Sequence, residues 1–198
     1  MILNEIVNCL NANAISYTNE NSNEKDLVWI IFQIDSSENN EDSSSFKILY
    51  ESGNPESKRL SSIILDHMNQ VYDDTESIEV RSQEMNNQTN RPLVRIIFMD
   101  SQNLKGLDWI KQNIEEFSKQ IIMSLDEYFG LPYVPCEKTN TGVAKQDESI
   151  RGKPNLNSEV VGCTTSGKKI NVLGQWEEWY VVGTNNNLGY IQTKFIEL

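Results

Sequence analysis

Few side chains in this 198-residue chain are suited to catalysis: one histidine, His67, and three cysteines, Cys9, Cys136 and Cys163. A metal-dependent hydrolase needs three protein ligands and an open position for water. His67, in Leu65-Asp66-His67-Met68, cannot supply that set alone, and no HExxH spacing exists. A cysteine nucleophile would need His67 as its base, which leaves Cys9 or Cys136 to be brought to it by the fold. No GxSxG elbow, phosphate loop or GxGxxG turn is present. Carboxylates are plentiful at Asp73, Asp74, Glu76 and Glu79, so a glycosidase pair stays open. A run of that kind is ordinarily a solvated loop.

The formal net charge of -12 argues against a nucleic-acid partner, and no basic cluster appears. The charge is uneven: residues 1–137 hold 10 Lys and Arg against 23 Asp and Glu, whereas residues 138–198 hold 7 against 6. That shift marks a boundary. Three widely spaced cysteines are no disulfide framework and point to thiols in a reducing compartment. The start, Met-Ile-Leu-Asn-Glu, lacks the basic opening of a secretory signal, and no apolar run is long enough to span a bilayer. Synthesis in the cytoplasm is expected, with the cell wall reached only through lysis or a holin.

The elements that must position these residues follow from periodicity. Glu5–Ala14 reads as a short strand running into a polar loop. Val28–Ile34 (VWIIFQI) is a buried strand, followed by an acidic low-complexity loop over residues 35–45. Phe46–Tyr50 alternates as a strand. Pro55 opens a helix whose apolar stripe runs through Leu60, Ile63, Ile64, Leu65, Met68 and Val71. Residues 73–91 read as loop or weak strand, Pro92–Met99 as a strong strand, and Leu107–Phe129 as one long helix ended by Gly130 and Pro132. Alternating strands and helices predict an α/β layer with a partly parallel sheet. Beyond a linker over residues 132–145, short strands at 159–162, 169–173, 179–182 and 189–191 predict a small barrel.

That last part resembles the bacterial SH3-like (SH3b) domains. Ser149-Ile-Arg-Gly-Lys-Pro154 is similar to their N-V-R-x-G-P turn, with Gly152 and Lys153 in swapped order. Trp179-Tyr-Val-Val182 is similar to their WY-x-V strand and Gly189-Tyr-Ile191 to their closing GY-V. The resemblance implies peptidoglycan as partner. Trp176, Tyr180 and Tyr190 are then candidates to stack on sugar or peptide, with Arg151 and Glu178 as polar partners.

The preceding part resembles zinc-dependent N-acetylmuramoyl-L-alanine amidases of the endolysin and autolysin type. Val7–Ala14 is similar to their V-S-I-H-A-N-A strand end, Phe46–Tyr50 with Ser57-Lys-Arg-Leu60 to a strand and helix, Arg91–Ile97 to the M-P-A-V-L-V-E strand, and Asp108–Gly130 to the final helix. The departures matter more. Asn11 stands where the family has a zinc-ligating His, and Ile97 where it has the catalytic Glu. The family's first His and its Glu ligand fall upstream of where this chain begins.

The expectation is thus an α/β domain over residues 1–131, degenerate and amidase-like, a linker over 132–145 and an SH3b barrel over 146–198. No catalytic residue, metal or other cofactor is expected. The leading function is a non-catalytic wall-binding or accessory protein, as a relic or as targeting subunit of a full-length amidase. A protein-interaction module for a toxin, holin or phage component comes second, and a hydrolase with an unrecognised site third. Val28–Ile34 is expected to join the sheet as a replacement strand or to build a homodimer.

Overall fold

The computed structural model describes residues 6, 9–13, 15, 28–35, 46–72, 78–85, 91–99, 106–136, 139–184 and 188–198. Most of the acidic loop, and Val7, Ala14, Asp73, Asp74 and Glu76, lie outside the described residues. The chain is an α/β assembly followed by a small all-β SH3-like barrel. It divides into two compact units: residues 22–128, and a discontinuous unit made of residues 1–21 and 129–198.

The 22–128 unit is built on four strands, β1 (Trp29–Asp35), β2 (Phe46–Glu51), β3 (Ile78–Gln83) and β4 (Leu93–Met99), ordered β1-β4-β2-β3. β1 runs parallel to β4, β4 antiparallel to β2, and β2 parallel to β3. The apolar run at residues 28–34 therefore enters the sheet as an edge strand, and the polar stretch after residue 73 supplies β3. Helix α1 (Pro55–Met68) begins where Pro55 fixes the first helical residue and Asn54 caps it, its side chain accepting from the amides of Glu56 and Ser57. The expected long helix is two: α2 (Gly106–Gln112) and α3 (Ile114–Phe129). Asn113 stands between them, its side-chain amide and its backbone amide both donating to the Trp109 carbonyl at 2.9 Å.

One sheet face meets the helices through aromatic rings. Phe98 packs edge-on against Phe117 of α3 at 5.6 Å, and Phe46 against Trp109 of α2 at 6.1 Å and Tyr72 at 4.6 Å. The opposite face carries a smaller apolar group of Leu49, Ile97 and Met99, with Met85 against it.

The second unit closes seven strands in the order β11-β5-β8-β9-β10-β6-β7. These are β5 (Asn140–Ala144), β6 (Glu148–Arg151), β7 (Val160–Thr164), β8 (Lys169–Trp176), β9 (Trp179–Gly183), β10 (Leu188–Gln192) and β11 (Ile196–Glu197). The segment expected as linker thus holds the first barrel strand, whose polar and glycine content hid it. β9 shows the logic of the barrel: alternation sends Val182 inward with Ile150, Ile170 and Ile191, and Trp179 and Val181 outward. Gly189 is required where β10 crosses β6, since a Cβ there would meet the Arg151 carbonyl at 2.6 Å and the Ile150 side chain at 2.7 Å.

The amino terminus is a correction. Ile6 and Cys9–Ala12 are helical, not a strand. Ile6 and Leu10 are both buried and four residues apart, the spacing of one helical face. Asn13 donates its side-chain amide back to the Cys9 carbonyl at 2.9 Å, closing the turn. This turn belongs to the unit of the barrel.

Candidate functional site

The barrel has two apolar faces. Inside lie Ala144, Ile150, Ile170, Val172, Val182, Ile191 and Ile196. Outside, on β8, β9 and β10, lie Trp179, Val181 and Tyr190, with Leu173 and Trp176 at the margin. An outer face that apolar must be covered, and among the described residues two segments lie on it.

The first is the stretch after α3. Gly130, at φ +66, ends that helix in the left-handed conformation glycine allows, and the Lys153 ammonium donates to the Phe129 carbonyl at 2.8 Å. The chain then lays Leu131 and Val134 on the outer face. Val134 sits directly over Gly174, where a Cβ would come within 2.5 Å of the Val134 side chain. The second segment is the amino-terminal turn. The Asn13 side-chain amide donates to the Val134 carbonyl at 2.9 Å, and its Oδ1 accepts from the Val134 amide. This pairing spans 121 residues of sequence, and Asn13 is fully buried within it.

The expected ligand contacts change accordingly. Tyr190 is 0% exposed, packed in the outer cluster with Val134, and so is not open to a ligand while residues 131–134 lie on it. Trp176 is half-buried against the outer cluster. Arg151 is half-buried, and its guanidinium donates to the Ser158 carbonyl at 2.9 Å, bracing the loop between β6 and β7. Tyr180 packs against the inner core while keeping partial exposure. Glu178 is exposed at the end of the tight turn joining β8 to β9. That turn carries strain: Glu177 has φ 49, in the left-handed region that penalises a side chain. The exposed large apolar residues of the barrel lie elsewhere, at Val143, Leu156, Val160 and Leu198.

In the 22–128 unit, the groups singled out for chemistry are committed to structure. His67 is buried, and its Nε2 faces Glu127 Oε2 at 3.1 Å, joining α1 to α3. Glu79, the described member of the carboxylate run, pairs with Arg81 at 3.1 Å. Tyr128 donates its hydroxyl to Glu56 at 3.0 Å; burial first, then Glu56, push that hydroxyl up to about 12. Ile97 sits in the apolar group on the sheet face away from the helices. Asn11 lies on the helical amino-terminal turn, not on a catalytic strand. Among the described residues no group of three His, Cys, Asp or Glu is placed to hold a metal, and this donor set does not fit a zinc site. No disulfide joins Cys9, Cys136 and Cys163. No described helix is long and apolar enough to cross a membrane.

Asp126 is the group that helix periodicity misplaces. At 100° per residue it lies within about 20° of Glu115 and Lys119, on the arc of α3 that should face water. It is instead 2% exposed, with no hydrogen-bond partner for either carboxylate oxygen. Burial pushes its carboxyl up to about 8.

The barrel so described is an SH3-like one, and residues 149–197 match the bacterial SH3 domain family. No curated protein sequence matches the chain. Among solved structures the chain is similar to the CwlD amidase from Clostridioides difficile in complex with the GerS lipoprotein, at 17% identity over 65% of this chain and 61% of that one, with a TM-score of 0.42. It is also similar to NlpC1 from Trichomonas vaginalis, at 16% identity over 31% of this chain and 23% of that one, with a TM-score of 0.30. The chain thus spans less than two thirds of either protein. At these scores neither likeness bears on function.

Proposed function

We propose that this chain is a peptidoglycan-binding accessory protein that attaches through its SH3-like barrel and does not hydrolyse the wall. The observation that carries the reading is the family match over residues 149–197, which spans strands β6 to β11. The absence of hydrolysis is supported by what occupies the two family positions, aliphatic Ile97 in an apolar group and Asn11 on a helical turn, and by the engagement of the one histidine, His67, with Glu127. On this reading the chain is made in the cytoplasm and meets the wall on lysis or beside a full-length amidase.

The test is co-sedimentation of the full chain with purified peptidoglycan while turbidity is followed, beside Gly189→Ala, which disrupts the barrel where β10 crosses β6. Retention by the natural chain alone, without clearing, is expected. Failure to sediment removes the wall as partner, and clearing shows an active hydrolase. A second reading, a protein-binding module, rests on β1, an edge of its sheet with Ile34 exposed. It predicts a dimer or a partner complex by light scattering that Ile34→Lys abolishes.

A further inference from the structure

The outer face of the barrel has the composition of a binding surface rather than of an ordinary exterior. Trp176, Trp179 and Tyr190 surround Val181, and Gly174 leaves a seat where a side chain would project. What fills it is an extended segment, Leu131-Pro132-Tyr133-Val134-Pro135, in which one β-branched residue stands between two prolines. Aromatic surfaces receive such segments readily, because proline has already given up the backbone freedom that binding would otherwise remove. The hold is shallow. Only Val134 is fully buried, while Leu131, Pro132 and Tyr133 are half-buried and Pro135 is exposed. Among the described residues, Asn13 clamps it by engaging both the amide and the carbonyl of Val134.

We propose that this face is a second binding surface, for extended apolar peptides flanked by proline, and that the chain keeps it filled in cis with residues 131–135 under the Asn13 clamp. Asn13 is then a positioning residue: it fixes whatever segment lies on the face through that segment's main chain. The existence of this surface does not depend on whether the barrel binds peptidoglycan.

The test uses the full chain and a fluorescein-labelled peptide spanning residues 129–136, read by anisotropy, with hydrogen exchange at the Val134 amide measured in parallel. Val134→Ala keeps both Asn13 contacts but withdraws the resident anchor, and should take up the peptide at least about tenfold more tightly than the natural chain. Adding Gly174→Ala should abolish uptake, because the new methyl fills the seat. Leu131→Ala likewise weakens only the resident segment and should raise uptake in the same sense, so a failure of Val134→Ala to fold does not end the test. Asn13→Ala should speed exchange at the Val134 amide without raising uptake, because it removes the same clamp from resident and peptide alike. Absence of uptake in Val134→Ala and Leu131→Ala alike shows that the face is permanent core and overturns the proposal. Uptake that survives Gly174→Ala overturns it as well, because the peptide then binds elsewhere.

Discussion

Replacing Asp126 with asparagine should stabilise the protein at neutral pH and leave it unchanged in acid. Its carboxyl titrates near pH 8 when folded, against about 3.9 in an unfolded chain. Between those values the folded state holds a proton that the unfolded state has released, so stability falls as pH rises through the window and levels off above it. Each unit of difference is worth about 1.4 kcal/mol, so at about pH 7 the burden approaches 4 kcal/mol. Local relaxation and entry of water reduce that figure, and about 2–4 kcal/mol is the expected gain for Asp126→Asn. The side chain is 2% exposed, so solvent screening removes little of it. Asparagine keeps the shape and is as poorly hydrogen-bonded there as the neutral acid. Urea unfolding of both proteins, followed by tryptophan fluorescence at about pH 4.5, 6 and 7.5, isolates the effect in the difference, since every other titrating group cancels. The advantage of the variant should grow steadily with pH. A difference that is constant across the series, or that reverses, would show that Asp126 finds a partner or water and would refute the reasoning.

Three further outcomes follow from the geometry. Gly189→Ala drives a methyl into the Arg151 carbonyl and two side chains, and should lower barrel stability by about 3 kcal/mol or more, seen as a fall in melting temperature. Asn54→Ala removes the cap of α1 and its contact with the Arg91 carbonyl; a loss of about 1–2 kcal/mol is expected by urea unfolding. Glu177→Asn relaxes the left-handed residue of the β8–β9 turn and should raise stability by about 0.5–1 kcal/mol in the same assay.

What could be read beforehand was whatever a single period encodes. The dense runs at residues 28–34 and 92–99 became β1 and β4, the stripe from Leu60 to Met68 became α1, and the WYVV and GYI segments became β9 and β10. Period, however, says that a residue is apolar on a face; it does not say which distant segment covers that face. Trp176 and Tyr190 therefore looked like surface aromatics awaiting a ligand, although residues 131–134 occupy the surface they form. Asn13 was hidden for the same reason: its partner is 121 positions away, and its neighbours resembled a catalytic strand. Asp126 failed in the opposite direction, because its helical angle promised water and the fold withheld it. β5 escaped because a sheet can use Asn-Thr-Gly at a place where sequence statistics expect a connection.

The clamp between Asn13 and Val134 also bears on how the molecule comes to be made. The turn that carries Asn13 leaves the ribosome before the surface it pairs with has been synthesised, and the barrel strands β5 to β11 follow residues 22–128. The first unit must therefore wait for the whole of residues 22–128. Because closing a loop becomes only about 0.6 kcal/mol harder with each doubling of its length, the wait costs modest equilibrium stability but slows folding, as distant contacts do generally. If residues 22–128 fold first, they shorten that search. The order of events is then fixed by topology: residues 22–128 mature before the segments on either side of them can find each other.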